Sequence, residues 1–267
     1  MSDARLISLA AGVVQEFPAE DAVRAAAPAG FNAAGIWCDT QTWNAATTRR
    51  VEEALAETGI CPLDLEVVWL KPGEAPTAHD QMIDIGLELG VRNILCVSSE
   101  PEMTRTKKRF EHICRRAESG NTRIVLEFLA ITEIRSLQQA LEVVQDVAHP
   151  AGGILVDSLH LHRTGGSADD LGDIDPRLMP YIQLCDASAV LGDSSPEGLI
   201  EDALYLRQLP GEGDLALHDI LDKLDPQLPL SLEIRSRELM QRSVGDPNAR
   251  ARIVFLAMQH FLRSSIA

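Results

Sequence analysis

The chain has 267 residues, of which 45% are hydrophobic and 24% are charged, and its formal net charge is −16. This composition is typical of a globular protein and excludes a disordered chain. The acidic balance argues against nucleic-acid partners, because phosphate binding needs a basic surface. No apolar run is long enough to span a membrane. The N-terminus lacks a basic leader, so we interpret it as a strand and expect a cytoplasmic protein.

The cysteine pattern also predicts a reducing compartment. The five cysteines form no CxxC pair, and most of them lie inside apolar runs such as ILCV. We therefore expect reduced, buried thiols rather than disulfides or a catalytic cysteine. They are Cys38, Cys61, Cys96, Cys114 and Cys185.

Short apolar runs recur along the whole chain and predict eight strands. Their predicted bounds are Arg5–Val13, Ala33–Cys38, Leu63–Leu70, Val91–Ser98, Arg123–Ala130, Gly153–Asp157, Tyr181–Cys185 and Leu230–Ser236.

Helical patterns separate many of these strands. Glycine after a helix and proline beyond it mark several ends. We expect a capping threonine to begin the first predicted helix and Asp214 to cap the fifth. The predicted helices are Thr47–Thr58, His79–Leu89, Met103–Ser119, Ile134–Ala148, Leu215–Leu224 and Asn248–Leu262, with a further short one at Pro196–Arg207.

Strands that alternate with helices indicate a parallel sheet. Eight such units in this length predict one (β/α)8 TIM barrel over residues 1–267. The alternative is an open doubly wound sheet, although no GxGxxG or GxxxxGK[ST] motif follows the first strand. The long connection between Val190 and Glu212 is either a lid over the catalytic end of the barrel or a plain surface excursion.

Polar residues interrupt the last four apolar strands. The two-residue period of a strand points Glu127, Gln183 and Glu233 into the barrel, and Asp157 ends its strand where it can do the same. Converging carboxylates are costly unless they are paired or bound to a metal. Their hard oxygen ligands suit one Mn, Mg or Co ion, with Zn as a further option. The alternative is an ion pair, for example with Arg235 or Arg163.

Several segments carry a resemblance to a known family. They are VLEFLA around Glu127, ILVDSLHLHRTGGS around Asp157, YIQLCDA around Gln183, LRQLPGEGDLAL around Gly211 and SLEIRS around Glu233. With these segments the chain resembles the xylose isomerase-like TIM-barrel superfamily, also described as sugar phosphate isomerases and epimerases. The resemblance covers about the last half of the chain and is less specific before it.

The resemblance implies a ligand set and a catalytic group. In the family, strands five to eight supply Glu, Asp, His or Gln, and Glu as metal ligands, which match Glu127, Asp157, Gln183 and Glu233. His160, three residues after the aspartate, matches a substrate-contacting or acid/base residue. Sugar epimerases of the family commonly have His where this chain has Gln183. A glutamine there is similar to bacterial 3-dehydroshikimate dehydratases.

The family reactions share the removal of a proton next to a carbonyl group, with the metal as a Lewis acid. We expect an isomerase or epimerase of a polyhydroxylated, sugar-like compound, with Glu127 and Glu233 as bases. The alternative is a dehydratase of the dehydroshikimate type, with His160 as the acid that expels a hydroxyl group. A non-catalytic barrel is a weaker alternative, and the acidic charge argues against a nuclease of the same fold.

Other side chains are candidates for substrate binding. His160 is one of them, and Arg163 and Arg207 could hold an anionic group, unless they form ion pairs instead. Trp37 and Trp69 lie at strand ends and could line a pocket, although plain packing explains them as well. His162 could replace His160. Members of the family are often dimers or tetramers, so a homo-oligomer is expected from the resemblance.

Overall fold

Eight parallel strands pair edge to edge into a closed barrel in the computed structural model of the protein, which describes residues 5–264. The barrel closes because β1 pairs with both β2 and β8, which confirms the TIM-barrel prediction over the open sheet. The strands are β1 (Ile7–Leu9), β2 (Ala33–Trp37), β3 (Cys61–Leu70), β4 (Asn93–Ser98), β5 (Arg123–Glu127), β6 (Gly152–Asp157), β7 (Ile182–Leu184) and β8 (Leu230–Leu232).

Ten helices accompany these strands within the described residues. They are α1 (Ala19–Ala29), α2 (Ala45–Thr58), α3 (Asp80–Glu88), α4 (Met103–Ala117), α5 (Leu137–Val147), α6 (Ser158–Arg163), α7 (Pro196–Tyr205), α8 (Leu217–Asp222), α9 (Arg237–Arg242) and α10 (Pro247–Ser264). None of them is long and apolar enough to cross a membrane.

Helix α1 was not predicted. Its alanines are strong helix formers, but the usual signals are missing. No side chain caps its first turn, and Pro28 lies inside it. The helix ends at Gly30, whose φ of 110° lies in the left-handed region. A Cβ atom there would meet the Phe255 ring of α10 at 2.4 Å, so this turn requires glycine.

Several predicted strands are too long. The fifth was expected to reach Ala130, but β5 ends at Glu127. The first was expected to reach Val13, but β1 ends at Leu9 and a 3-10 turn, Ala11–Val13, follows. The eighth was expected to reach Ser236, but β8 ends at Leu232. The residues of the turn are buried, and an apolar run does not distinguish a strand from a buried turn.

Two predicted caps are wrong. The Asn44 side chain, rather than a threonine, accepts hydrogen bonds from the first amides of α2. The carboxylate of Asp214 accepts from the amide of Ala189 and does not cap α8. Both residues satisfy backbone donors, but their partners depend on where the chain turns.

The apolar core has two layers, as expected for this fold. The larger layer lies between the strands and the helices and includes Ile124, Leu126 and Phe128 of one β5 face. The smaller layer fills the barrel and consists of Ala33, Leu63, Leu95, Val97, Val125, Leu155 and Tyr181. The predicted alternation of faces in β5 is therefore confirmed. All five cysteines are free thiols, and four are buried.

The connection from 190 to 212 returns to the barrel instead of extending over the surface. Isolated bridges join Asp186 to Gln208 and Leu206 to Ser236. Helix α7 lies within this connection. Because both bridges flank Arg207, they carry this residue to the ends of β7 and β8.

Candidate functional site

The four predicted ligand residues lie at one end of the barrel. Glu127 ends β5, Asp157 ends β6, Gln183 is the middle residue of β7, and Glu233 directly follows β8. Their side chains are buried. Asp157 and Gln183 are register partners on neighbouring strands. The carboxyl ends of barrel strands meet at the face where TIM-barrel active sites lie.

Arg207 connects two of these residues. Its Nη1 atom is 2.7 Å from Asp157 Oδ2 and 3.1 Å from Glu233 Oε2. Its Nε atom donates to the carbonyl of Ala203, which orients the guanidinium. The side chain is 3% exposed, so water screens these ion pairs little. Arg207 is thus a buried counterion of the carboxylates.

His160 belongs to the same cluster. The Oδ1 atom of Asp157 accepts hydrogen bonds from the amides of Leu159 and His160, and this cap begins α6. The His160 Nε2 atom lies 3.3 Å from Arg207 Nη2 and 4.0 Å from Glu127 Oε1. Burial lowers the pKa of His160 to about 4, even though Asp157 opposes this shift. The imidazole is therefore neutral at neutral pH.

Two oxygen atoms of the cluster have no hydrogen-bond partner. They are Oε1 of Glu127 and Oε1 of Gln183, and both are buried. The other end of the Gln183 amide is occupied, since its Nε2 atom donates to Glu66 Oε1 at 3.1 Å. A buried polar atom without a partner carries a desolvation cost. These oxygens are therefore suited to accept a cation or a donor from a ligand.

The pKa values of the carboxyl groups in the cluster are shifted in opposite directions. Burial raises the pKa of Glu127 well above its usual range, and the charges of Glu233 and Asp157 add to the shift. Burial likewise raises the pKa of Glu233 to about 8, although Arg207 opposes it. For Asp157, Arg207 and His160 outweigh burial and lower the pKa. Proton-transfer groups with separated pKa values are typical of active sites.

A second acidic pair, Asp64 and Glu66, was missed in the sequence. Both side chains are buried on β3. Burial raises the pKa of Asp64 to about 7, and burial together with the charge of Asp64 raises that of Glu66. The signal was available: two acids two residues apart in the apolar run LDLEVVWL face the same side of a strand.

A cavity of about 460 Å³ opens next to this cluster. Its polar lining includes Glu66, Glu127, His160, Arg207 and Glu233. Most of the remaining lining is apolar and comes from the strand ends and α7: Val67, Leu95, Val97, Leu129, Ile131, Ile200, Ala203 and Leu204, with Trp37 and Trp69. The connection from 190 to 212 therefore contributes directly to the wall.

Arg235 was predicted only as an ion-pair partner of a glutamate, but it lines the cavity. Its guanidinium lies 5.9 Å from the centre of the Trp37 ring and donates to Gln15 Oε1 at 2.7 Å. Its Nε atom is buried without a partner. Arg235 thus lines the cavity and has a buried donor without a partner.

The remaining predicted substrate residues are distributed differently. Trp37 and Trp69 line the cavity. Arg163 lies outside it and forms a two-pronged ion pair with Asp202, at 2.8 and 3.2 Å. The exposed ring of His162 contacts the carbonyl of Ala189. Arg207 and Arg163 were predicted together as residues that bind an anionic group. In the structure Arg207 lines the cavity, whereas Arg163 lies outside it.

The turn between α7 and α8 is built by glycines. Gly211 has a φ of +86°, and a Cβ atom at Gly213 would lie 2.5 Å from both the Ala187 carbonyl and Asp186 Oδ1. Asp186 accepts hydrogen bonds from the amides of Gly211 and Leu215. The GEGD segment therefore shapes a turn that only glycine fits closely.

Within the described part of the chain, no three His, Cys, Asp or Glu side chains are arranged to hold a metal ion by themselves. The contacts of Arg207 occupy one oxygen each of Asp157 and Glu233. The fully buried oxygens of the four residues that have no partner belong to the Glu127 carboxyl group and the Gln183 amide. The ligand set expected from the sequence is therefore assembled around an arginine.

Comparison with known proteins gives the following relationships. A family model described as xylose isomerase-like TIM barrel matches residues 23–257, most of the chain. A 3-dehydroshikimate dehydratase from Pseudomonas putida is 24% identical over 239 residues, which covers 79% of this chain and 35% of that protein. The chain thus spans about a third of the length of this curated relative.

Solved structures share the fold. A xylose isomerase-like TIM barrel/4-hydroxyphenylpyruvate dioxygenase fusion protein superimposes with a TM-score of 0.83 at 20% identity, covering 98% of this chain and 43% of that one. The IOLI protein with a bound zinc atom superimposes with a TM-score of 0.78 at 18% identity, covering 97% and 99%. At these identities the likeness establishes the fold alone.

Proposed function

Because the chain belongs to the xylose isomerase-like TIM-barrel family, we propose that it is a divalent-metal-dependent enzyme that removes a proton next to a carbonyl group. We further propose that the reaction is a dehydration, in which a hydroxyl group β to that carbonyl leaves. The substrate would be a cyclic keto acid of the dehydroshikimate type.

The residues present fit a divalent cation. Glu127 and Gln183 each have a buried oxygen without a partner. Glu127, Asp157 and Glu233 supply three carboxyl groups. A divalent ion would favour the charged forms of Glu127 and Glu233, whose pKa values burial raises, and oxygen donors suit Mn, Mg or Co, with Zn a further option. The ligands would be Glu127, Asp157, Gln183 and Glu233.

Arg207 affects this proposal because its guanidinium contacts oxygen atoms of two proposed ligands, Asp157 and Glu233. A cation held by Asp157 and Glu233 would share these carboxylates with the Arg207 guanidinium, which contacts one oxygen of each. Donors of Arg207 that are not used by the carboxylates would bind an anionic or carbonyl oxygen of the substrate.

When bound, the ion would supply Lewis acidity at the substrate carbonyl. The protein groups would carry the protons. His160, neutral and buried beside Glu127, would accept the proton from the carbon and return it to the leaving hydroxyl, which departs as water. Glu127 and Glu233 are the other two candidate proton acceptors. Such acid/base help typically contributes on the order of 10²–10⁴-fold to the rate.

The apolar wall is the observation that carries the choice of a dehydratase. A sugar with many hydroxyl groups needs hydrogen-bond partners on all sides, and unpaired polar groups in a pocket are costly. Here most of the side chains that line the cavity are aliphatic or aromatic. A ring with few hydroxyl groups fits that wall, and Gln183 and the dehydratase relative agree with this choice.

Arg235 and Arg207 are the proposed partners of the substrate carboxylate. Arg235 stacks on Trp37 and has an unpaired Nε–H group. Arginine binds carboxylates through parallel N–H donors. Trp37 and Trp69 would contact the faces of the ring. We propose no substrate contact for Arg163, because Asp202 holds it outside the cavity.

An epimerase or isomerase of a sugar-like compound is the second candidate. The observation that favours it is the placement of Glu127 and Glu233 on the same cavity from β5 and β8. Two carboxylates that face a substrate from different strands could remove a proton from one side and return it on the other.

One assay separates the two candidates. The Mn-loaded protein is incubated in D2O with 3-dehydroshikimate and, separately, with ketoses. The proposal predicts an ultraviolet-absorbing unsaturated product from the keto acid and no deuterium in the ketoses. Deuterium incorporated into a ketose, without conversion of the keto acid, would favour the epimerase instead.

A further inference from the structure

Gln183 differs from the other proposed ligands because only one end of its side chain can bind a cation. The carbonyl oxygen of an amide coordinates a metal, whereas its NH2 group is a donor that repels one. The two ends have nearly the same size and shape. A glutamine ligand therefore needs a neighbour that determines which end faces the site.

Glu66 is that neighbour. Its Oε1 atom accepts the hydrogen bond from Gln183 Nε2 at 3.1 Å. Within residues 5–264, this is the one hydrogen bond recorded for the Gln183 side chain, whose Oε1 atom remains free. With the amide reversed, its oxygen would face the Glu66 carboxyl group and its NH2 group would face the site.

The contact is long-range and enclosed. Glu66 lies on β3 and Gln183 on β7, 117 positions apart in the chain, so the hydrogen bond crosses the interior of the barrel. Gln183 is 0% exposed and Glu66 is 3% exposed. Water therefore cannot easily replace Glu66 as the acceptor.

We propose that Glu66 is a positioning residue that holds the Gln183 amide with its carbonyl oxygen available to the metal. This inference rests on the proposed function, and in particular on Gln183 as a ligand. Partners that orient a metal ligand through its far side typically change metal affinity about 10–100-fold when they are removed.

The test must separate orientation from charge, because Glu66 is also an acid. Glu66→Gln removes the carboxyl group but keeps an oxygen that can accept from Gln183. Glu66→Met removes the acceptor at similar length. The double variant Glu66→Gln with Gln183→Glu exchanges the two side chains, keeps their hydrogen bond and leaves an oxygen toward the site.

The measurement is a Mn(II) titration of the metal-depleted, full-length protein, in which the signal of free Mn(II) is followed by electron paramagnetic resonance. Thermal unfolding of each metal-free variant checks that it folds. We expect Glu66→Met to weaken binding about 10–100-fold. Glu66→Gln should weaken it only about twofold, the cost of two equally populated amide orientations. The exchanged pair should bind more tightly than Glu66→Met.

Other outcomes overturn the inference. If Glu66→Met binds Mn(II) as the unsubstituted protein does, Glu66 does not position the ligand. If Glu66→Gln loses as much affinity as Glu66→Met, charge and not orientation is responsible. If Glu66→Met does not fold, the double variant replaces it in the comparison. Mn(II) binding to the double variant that is more than tenfold weaker than to Glu66→Gln would then show that Glu66 does not position the ligand. Absence of binding to the unsubstituted protein would instead reject the proposed function itself, and this inference with it.

Discussion

The cavity lining has a charged part and an apolar part, which differ in how the chain builds them. The charged part includes Glu127, Arg207 and Glu233 near the ends of β5 to β8, and ion pairs and hydrogen bonds connect it to the buried side chains of Asp157 and Gln183. The apolar part consists of aliphatic and aromatic residues from β2 to β5, the segment after β5, and α7. We infer that the charged part carries the reaction, whereas the apolar part and Arg235 select the substrate.

Removing a group from the charged part should have the largest effect on activity. Glu127→Gln keeps the size of the side chain but removes one proposed ligand and base. We expect the rate with the keto acid to fall by about 10²–10⁴-fold, measured by the absorbance of the product. Glu133→Gln is the matched control, because Glu133 lies just after β5 and is exposed. Equal rates in both variants would remove Glu127 from the mechanism.

Removing the charge of Arg235, which lines the cavity beside apolar residues, should affect substrate binding more than turnover. Arg235→Met removes the donor and keeps much of the apolar length. A hydrogen bond to a charged group contributes about 1.5–3 kcal/mol, so KM for the acid should rise by about 10–100-fold with a smaller change in kcat. Arg235→Lys should recover part of this loss.

The neighbouring arginine provides the control for this experiment. Arg237 is half-exposed and stacks on Tyr205, so Arg237→Met should leave KM unchanged. An unchanged KM in Arg235→Met as well would mean that the substrate carboxylate binds elsewhere or is absent.

The acidic pair beneath the site predicts a pH-dependent stability. Burial raises the pKa of Asp64 from 3.8 to about 7. The stability that a raised pKa contributes is complete below the unfolded value and is lost as pH rises through the folded value. Asp64→Asn should therefore stabilise the metal-free protein more at pH 8 than at pH 5, by about 2–3 kcal/mol.

Chemical denaturation at the two pH values measures this difference. Asp84→Asn is the control, since Asp84 is an exposed carboxylate paired with Arg116. If the advantage of Asp64→Asn is the same at both pH values, the Asp64 carboxyl group does not gain its charge between them.

The smallest effect on activity should come from Arg163. Arg163→Met leaves the cavity intact but leaves the buried carboxylate of Asp202 without its ion-pair partner. Breaking one partner of a buried ion pair costs about 3–5 kcal/mol of stability, whereas kcat and KM should change by less than about threefold. Unfolding and steady-state kinetics measure the two quantities. A large rise in KM at unchanged stability would instead indicate that Arg163 contacts the substrate.

The barrel and its four inward polar residues could be predicted because strands repeat every two residues. Glu127, Gln183 and Glu233 interrupt apolar runs at or near the carboxyl ends of their strands, and this pattern depends on local sequence alone. Helix α1 escaped prediction because no side chain caps its first turn and Pro28 lies inside it. Asp64 and Glu66 fitted the same rule on β3 and were overlooked.

Contacts between distant segments could not be predicted. Arg207 and Arg163 both looked like candidates for an anionic group. The bridges at Asp186 and Leu206 direct Arg207 into the barrel, whereas Asp202 on α7 captures Arg163. These partners depend on how the connection after β7 folds back onto the barrel. A local periodicity in the sequence gives no information about such long-range contacts.

The central claim is that one divalent cation binds at Glu127, Asp157, Gln183 and Glu233, and elemental analysis of the purified protein tests it most directly. The protein is measured beside Asp157→Asn and Glu233→Gln after equilibration with Mn, Co, Mg and Zn in turn. We predict about one ion per chain, lost in both variants. No bound ion in the unsubstituted protein under any of these conditions would contradict the claim and leave Arg207 as the permanent counterion of the site.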